Sequence, residues 1–443
     1  MTNIFGTDGI RSKANTGYIT PENVMKLAIS VTNYYKSINH KSVNNKFTVV
    51  IGKDTRLSGY MLEPALTAGF IAAGANVDLL GPIPTPGVAF MTRSLRADLG
   101  VVISASHNPY YDNGIKFFNS NGFKISQKDE LEISRIFNSE QILSSSENMG
   151  KARRIDDAAG RYVEFVKSSF PKNLSLSGLK IVVDTANGAA YKIAPQIFWE
   201  LGAEIIKIGD NPNGININQD CGATHTKLLQ KSVLENKADI GIALDGDADR
   251  LIVVDELGNV VDGDYIIAAI AKNWKESEKL RGSNIVTTTM TNLAMEKYLN
   301  SIGLNLIRSD VGDKYVLQKM LEIGANIGGE KSGHIIPIDF STTGDGCVSA
   351  LQILAYIKKS GIKTSDIRKL YDPYPQIMKN IPKILDLNDS KIINFVDNVE
   401  NILKGKGRVI IRKSGTEPIT RIMIEAETEK DINDAIVYLN DIC

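Results

Sequence analysis

A serine, a histidine and a lysine close together provide the first indication of chemistry. Ser106 and His107 are adjacent, and Lys116 follows ten residues later. A hydroxyl with basic groups nearby can act as a nucleophile. The same residues also fit an ordinary Ser/Asn-rich turn that ends at Pro109, with a solvated lysine.

Three aspartates alternate with small residues at Asp245, Asp247 and Asp249. At a period of two, their carboxylates can share one face of an extended segment. Clustered carboxylates repel one another unless a cation lies among them, and hard oxygen ligands suit Mg²⁺. An EF-hand loop is excluded because Arg250 stands where it requires glycine, although Glu256 stands at its twelfth position. A solvated acidic turn remains open.

Two later loops could bind a phosphorylated sugar. In E-K-S-G-H, Glu330 and Ser332 offer a carboxylate and a hydroxyl that suit sugar hydroxyls. In the C-terminal part, guanidinium groups, hydroxyls and flexible backbone amides suit a phosphate, and they belong to Arg412, Ser414, Gly415, Thr416 and Arg421. Each loop alone fits a surface turn equally well.

A repeated pattern indicates how these loops are positioned. Strand, helix and strand recur from residues 48, 181 and 285, which predicts right-handed crossovers and mainly parallel sheets. The motif A-[DN]-[LI]-G then precedes the serine, aspartate and glutamate loops in turn. We predict three similar mixed-parallel α/β domains and a smaller α+β C-terminal domain around a central cleft. Their expected bounds are 1–150, 151–256, 257–370 and 371–443.

Composition excludes several other classes of protein. The 443 residues include 51 basic and 51 acidic side chains, which argues against a nucleic acid or an anionic membrane as the main partner. No signal peptide and no run of eighteen apolar residues is visible. The three cysteines are far apart in the sequence, so we expect a cytoplasmic protein. A homodimer is compatible with the sequence, which does not specify an oligomeric state.

Five motifs together resemble the α-D-phosphohexomutase family, in the family's order and across essentially the whole chain. They are F-G-T-D-G-I-R from Phe5, the serine loop S-A-S-H-N-P, D-G-D-A-D-R, E-K-S-G-H and R-K-S-G-T-E-P. The resemblance implies that Ser106 carries a phosphate and, with the three aspartates, binds one Mg²⁺. It also implies a cleft role for Arg11 and Arg250, proton transfer or electrostatic help from His107 and Lys116, and substrate binding that includes His334.

The resemblance implies transfer of phosphate through a sugar 1,6-bisphosphate, which also serves as activator. The serine loop is most similar to the branch that interconverts glucosamine 6-phosphate and glucosamine 1-phosphate, feeding UDP-N-acetylglucosamine and cell-wall precursors. A phosphomannomutase/phosphoglucomutase is the alternative within the family. An aspartyl phosphatase and a non-catalytic sugar-phosphate sensor are alternatives outside it.

Three residues depart from the family pattern: Ala248 replaces a usual glycine, Lys331 a common glutamine and Lys413 a frequent proline. We expect Ala248 to favour a negative φ, since alanine tolerates positive φ less well than glycine. We expect Lys331 to point away from the sugar, because an ammonium would repel a protonated 2-amino group. Closure of the C-terminal domain over the cleft is also expected.

Overall fold

The protein is described by a computed structural model that covers residues 3–6, 8–38, 46–413 and 419–441. Its first unit is a mixed sheet with strand order β1-β5-β4-β2-β3-β6 and helices on its faces. The elements of this unit are β1 (Ile10–Lys13), α1 (Pro21–Ser37), β2 (Thr48–Lys53), α2 (Gly59–Ala72), β3 (Asn76–Pro82), α3 (Thr85–Ser94), β4 (Leu99–Ile103), β5 (Asp112–Asn119), α4 (Gln127–Phe137) and β6 (Ala152–Arg154).

The second unit repeats this arrangement with strand order β11-β10-β9-β7-β8. Its elements are α5 (Ala158–Ser168), β7 (Lys180–Asp184), α6 (Ile193–Glu200), β8 (Glu204–Ile208), α7 (Lys227–Asn236), β9 (Ile240–Leu244), β10 (Leu251–Asp255) and β11 (Val260–Val261).

The third unit has a four-stranded sheet of order β13-β12-β14-β15. Its elements are α8 (Gly263–Glu276), β12 (Asn284–Thr288), α9 (Leu293–Ser301), β13 (Asn305–Ser309), α10 (Asp313–Ile323), β14 (Ile327–Gly329), β15 (Ile335–Pro337) and α11 (Gly346–Ser360).

The three units share one topology, as the repeated sequence predicts. A central strand (β2, β7 or β12) pairs in parallel with both neighbours. One of those neighbours (β4, β9 or β14) also pairs antiparallel with the next strand in the chain. Strands β4 and β9 are buried along their whole length, in keeping with their apolar sequences. The serine, aspartate and glutamate loops therefore all leave a sheet at the carboxyl end of equivalent strands.

The fourth unit differs from the others. It is a small antiparallel sheet of order β16-β18-β17, formed by β16 (Gln376–Ile381), α12 (Ser390–Leu403), β17 (Gly407–Lys413), β18 (Thr420–Ala426) and α13 (Glu429–Ile436). Its apolar side chains, such as Phe395 and Ile424, form a core of their own. By contrast, one continuous core runs through parts of the first three units and includes Val50, Ile181 and Ile266. The α+β C-terminal unit predicted from the sequence is thus confirmed.

Candidate active site

The serine loop begins where β4 ends, and it holds Ser106 in a left-handed backbone conformation. Ser106 has φ of 52°, and the residue is 2% exposed. Its Oγ donates a hydrogen bond of 2.7 Å to Asp245 of the second unit and lies 3.4 Å from Nδ1 of His107. A non-glycine residue at positive φ is uncommon and needs surrounding contacts to hold it. The hydroxyl is therefore held at the boundary between two units, next to an imidazole and a carboxylate.

Arg56 supplies many of those contacts, and the sequence analysis missed it. Its guanidinium is buried and donates to the carbonyl oxygens of Ser106 (2.9 Å), Asn108 (2.8 Å), Pro109 and Asp112 (3.0 Å). Its Nε donates to the neighbouring carboxylate Asp54 at 2.8 Å. Arg56 follows β2, which lies beside β4 in the sheet. Polar residues just beyond a predicted parallel strand were the available signal, because such strand ends meet at one edge.

A second missed residue reaches the serine loop from the second unit. The side-chain amide of Asn218 donates to the carbonyl oxygens of Ser106 (2.8 Å) and Asn108 (3.1 Å). Gly246 lies so close to the serine loop that a Cβ at its position would be 2.6 Å from the backbone carbonyl oxygen of Ser106. The close approach of the two loops requires glycine there. Nothing near Asn218 in the sequence marks it, since its partners belong to another unit.

The aspartate loop brings together the residues expected to bind a metal. Asp245, Asp247 and Asp249 are buried, and one oxygen of each lies within 4.8 Å of the others. One oxygen each of Asp247 and Asp249 is buried without a hydrogen-bond partner in the described parts of the chain. Burial and the two neighbouring aspartates raise the pKa of Asp245 well above its usual range. Unsatisfied buried carboxylates around a serine hydroxyl are a donor set that fits a hard divalent cation.

The expectation of a negative φ at Ala248 was wrong. Ala248 adopts a φ of 56°, in the left-handed region, and its methyl group is buried. Ala248 lies in the turn that carries the three carboxylates. The Ala248 amide donates a hydrogen bond of 3.0 Å to the backbone carbonyl of Asp245. Alanine thus accepts the conformation that the more common glycine adopts freely, at a cost of about 1–2 kcal/mol.

Lys116 lies behind the aspartate loop as a buried cation. Its Nζ is 3.1 Å from Asp247, 3.1 Å from Asp8 and 3.6 Å from Asp249. Burial acts to lower the pKa of Lys116, but the Asp247, Asp8 and Asp249 carboxylates outweigh it and raise the pKa above its usual value. Of the two roles expected for Lys116, this arrangement favours electrostatic help over proton acceptance.

The pKa of His107, unlike that of Lys116, is lowered by its surroundings. Burial, together with nearby Arg250 and Arg11, lowers the pKa of its imidazole to about 4. The ring is therefore neutral near pH 7 and only weakly basic, with its Nδ1 beside the Ser106 hydroxyl.

The glutamate loop presents two of its polar residues, Glu330 and His334, to the cleft. Glu330 lines the cleft and accepts a hydrogen bond of 3.0 Å from the Gly312 amide. Ser332 lies outside the cleft lining, with its hydroxyl 3.3 Å from Glu330. Lys331 donates to Gln376 of the fourth unit at 2.9 Å, so its ammonium points away from the cleft as expected.

His334 lies deeper in the cleft, between two carboxylates. Its Nδ1 is 3.6 Å from Asp249 and its Nε2 is 3.6 Å from Asp313. Burial opposes the charged ring, but Asp249 and Asp313 raise the pKa to about 9. The Gly344 amide also donates to Nε2 at 3.2 Å, a contact that only the neutral ring accepts. The two carboxylates and the amide therefore favour different protonation states of His334.

Arginines surround the remaining part of the cleft, which has a volume of about 330 Å³. Arg412 and Arg421 face each other across the β17–β18 pair and line the cleft with Arg11 and Arg250. The Nε atoms of Arg11, Arg250 and Arg412 are buried without a hydrogen-bond partner among the residues described. Converging guanidinium groups with unused donors suit phosphate. The predicted phosphate residues Ser414, Gly415 and Thr416 lie outside the described residues.

Comparison with known proteins agrees with this geometry. Models of the phosphoglucomutase/phosphomannomutase family match residues 2–143 (alpha/beta/alpha domain I), 160–258 (domain II), 262–374 (domain III) and 366–439 (C-terminal domain). The chain belongs to this family. It is therefore a phosphohexomutase, an isomerase, and the family recognised from its motifs is confirmed.

Within this family, the chain is similar over nearly its whole length to curated phosphoglucosamine mutases. The chain is 52% identical to a phosphoglucosamine mutase of Parvibaculum lavamentivorans, over 99% of this chain and 97% of the relative. It is 51% identical to a phosphoglucosamine mutase of Agrobacterium fabrum, over 98% and 97%.

Solved structures agree on the fold. A phosphoglucomutase/phosphomannomutase family protein of Burkholderia thailandensis matches with a TM-score of 0.83 at 22% identity, over 99% of this chain and 96% of that one. An N-acetylphosphoglucosamine mutase of Aspergillus fumigatus, in complex with GlcNAc-6P and magnesium, matches with a TM-score of 0.71 at 17% identity, over 99% and 95%. Among the described residues, no helix is long and apolar enough to cross a membrane.

Proposed function

We propose that this phosphohexomutase interconverts glucosamine 6-phosphate and glucosamine 1-phosphate through a phosphorylated Ser106. The observation that carries the proposal is the Ser106 hydroxyl, 2.7 Å from Asp245 and within a cleft lined by arginines from the first, second and fourth units. The high identity to phosphoglucosamine mutases supports the amino sugar as substrate. Phosphomannomutase/phosphoglucomutase activity is the alternative that the test below addresses.

The residues of the cleft suit a two-step transfer. A sugar hydroxyl attacks the phosphorus of phospho-Ser106, a new O–P bond forms, and the Oγ–P bond breaks with its electron pair on Oγ. The sugar hydroxyl loses its proton and Oγ gains one, so that Ser106 ends as a hydroxyl; His107, a neutral imidazole 3.4 Å from Oγ, lies where it can relay that proton. The glucosamine 1,6-bisphosphate then turns, so that its other phosphate returns to Ser106.

The other charged residues hold the two phosphates. Arg412 and Arg421, with the 414–416 loop, would hold the phosphate that is not transferred, while Arg11 and Arg250 would contact the one that is. Lys116 places a fixed positive charge next to the aspartate loop. Mg²⁺ bound to the three aspartates and the Ser106 oxygen would stabilise charge on the transferred phosphoryl group. The ring hydroxyls would contact Glu330, with Ser332 and His334 nearby.

Further parts of the proposal concern the setting of the reaction. A sugar 1,6-bisphosphate would act as activator by phosphorylating Ser106. We place the enzyme in the cytoplasm because the two described cysteines, Cys221 and Cys347, are buried free thiols. The domain bounds at residues 150, 256 and 370 and a homodimer stay predictions.

The test is a comparison of kcat/KM for the 6-phosphates of glucosamine, glucose and mannose, with sugar bisphosphate and Mg²⁺ present. We expect glucosamine to be preferred. Lys331→Gln should change the preference little, because the Lys331 ammonium is bonded to Gln376 outside the cleft. A preference for mannose 6-phosphate would move the enzyme to the alternative activity. A large gain in glucosamine turnover in Lys331→Gln would show that the lysine faces the sugar.

A further inference from the structure

A lysine outside the predicted site joins the first and third units beside the cleft. The Nζ of Lys124 lies 2.5 Å from Asp8 and forms a second ion pair with Asp313. Asp8 and Lys124 belong to the first unit, whereas Asp313 is the first residue of α10 in the third unit. Burial disfavours the charged ammonium, yet Asp313 and Asp8 raise the pKa of Lys124 above its usual value.

The two carboxylates depend on Lys124 to different degrees. Asp8 also pairs with Arg11 and Lys116, so it keeps two cations if Lys124 is removed. Asp313, in the part of the chain described, has only His334 as a second basic partner, at 3.6 Å, and that ring is a cation only when protonated. Loss of Lys124 would therefore displace Asp313 more than Asp8, because a partly buried carboxylate that loses its nearest cation is disfavoured where it stands.

Asp313 is connected to the sugar-binding loop by the backbone. The residue before it, Gly312, donates its amide hydrogen to Glu330 at 3.0 Å. Gly312 has φ of 132°, which other residues rarely adopt, so the orientation of this amide depends on how the start of α10 is held. A shift of Asp313 would move the donor that fixes the Glu330 carboxylate.

Lys124 itself does not line the cleft. It lines a separate cavity of about 400 Å³ between the first and third units, and Asp8 and Asp313 form part of the wall that both cavities share. Lys124 can thus affect the reaction only through the residues it holds.

We propose that Lys124 is a positioning residue that, by binding Asp313, fixes the start of α10 and with it the Glu330 carboxylate relative to Ser106. The inference rests on the proposed function. Phosphoryl transfer requires the sugar, held by the third unit, to be in register with the serine of the first unit. A misplacement of about 1 Å can lower the rate on the order of 100-fold. Among the described residues, Lys124 forms the ion pair that joins these two units next to the cleft.

The first test is steady-state kinetics of Lys124→Met, which keeps the length of the side chain and removes its charge. We expect kcat for glucosamine 1-phosphate to fall at least tenfold, with less than a threefold change in KM, since the arginines that bind phosphate are untouched. Lys124→Arg keeps a cation that can reach both carboxylates and should recover most of the loss. Lys358→Met is the matched control: it removes a lysine that joins the second and third units far from the cleft, through Ser177.

The second test is a double-mutant cycle with Glu330→Gln. If Lys124 acts through Glu330, Lys124→Met should lower kcat less than threefold in the Glu330→Gln background. An equal loss in both backgrounds, or a folded Lys124→Met enzyme within twofold of wild type, would overturn the inference. If Lys124→Met does not fold, Asp313→Asn, which alters the other residue of the ion pair, replaces it in the cycle with Glu330→Gln. A wild-type enzyme inactive on glucosamine phosphates would instead refute the proposed function.

Discussion

At the scale of single residues, the backbone of the serine loop depends on one buried guanidinium. Arg56 donates to four carbonyl oxygens of residues 106–112, and the Asp54 carboxylate balances its charge. Because Ser106 has a positive φ, these hydrogen bonds contribute to holding its hydroxyl next to Asp245.

Substitution of Arg56 should separate positioning from folding. Arg56→Lys keeps a cation for Asp54 but cannot reach the carbonyl oxygens together, so kcat should fall at least tenfold while the free energy of unfolding drops by about 1–3 kcal/mol. Arg56→Met leaves Asp54 buried without a cation and should lower the free energy of unfolding by about 3–5 kcal/mol. Activity assays and urea unfolding measure the two effects.

The matched control is Arg135→Lys, which alters an ion pair with Glu132 in the same unit, exposed on both sides. It should change neither quantity measurably, as is usual for surface ion pairs. Full activity of Arg56→Lys would show that the serine loop holds its shape without the guanidinium.

At the scale of elements, the sequence predicted those strands whose position depends on a local pattern of apolar and polar residues. The repeated A-[DN]-[LI]-G motif located β4, β9 and β14, because apolar residues before a polar loop are typical of a buried strand end. The roles of Arg56 and Asn218 were not predictable in this way, since their partners are backbone oxygens far away in the sequence. The positive φ of Ala248 was also missed, because the contacts of the folded loop override the preference of the residue.

The aspartate loop after β9 gives a prediction about pH. The folded-state pKa of Asp245 is raised, so the protonated form stabilises the metal-free protein below the unfolded pKa of about 4. That contribution is lost as the pH rises through the raised folded pKa. A cation held by the aspartates would compete with this proton, so the increase in Tm caused by Mg²⁺ should grow as the pH rises from about 4 through the raised pKa of Asp245.

Thermal unfolding with and without Mg²⁺ across this pH range provides the measurement. Asp247→Asn removes one anionic ligand at constant volume and should reduce the increase in Tm at every pH. A Tm increase that is independent of pH, or unchanged in Asp247→Asn, would contradict the assignment of this loop to the metal.

At the scale of the whole molecule, the fourth unit is the part best suited to move. It has its own core and meets the third unit through polar contacts such as Lys331 with Gln376 and Lys297 with Glu427. Arg412 and Arg421 lie on its strands and face the cleft. A phosphate bound by these arginines would draw the unit towards Ser106 and exclude water, which would otherwise hydrolyse the phosphoserine.

Small-angle X-ray scattering should therefore show a smaller radius of gyration when a saturating sugar 1,6-bisphosphate is added to Ser106→Ala, which cannot turn it over. Arg412→Ala in the same background should weaken this response, because it removes one of the arginines that face the phosphate. Identical scattering with and without the ligand would contradict closure.

The most direct test of the central claim is a chase of labelled phosphoenzyme. The enzyme is first labelled with ³²P from a sugar 1,6-bisphosphate, and unlabelled glucosamine 6-phosphate is then added in a single turnover. We expect label on Ser106 that passes into glucosamine 1,6-bisphosphate, and no labelling of Ser106→Ala. Label on Asp245, or its release as inorganic phosphate instead of transfer to the sugar, would indicate a phosphatase and contradict the account.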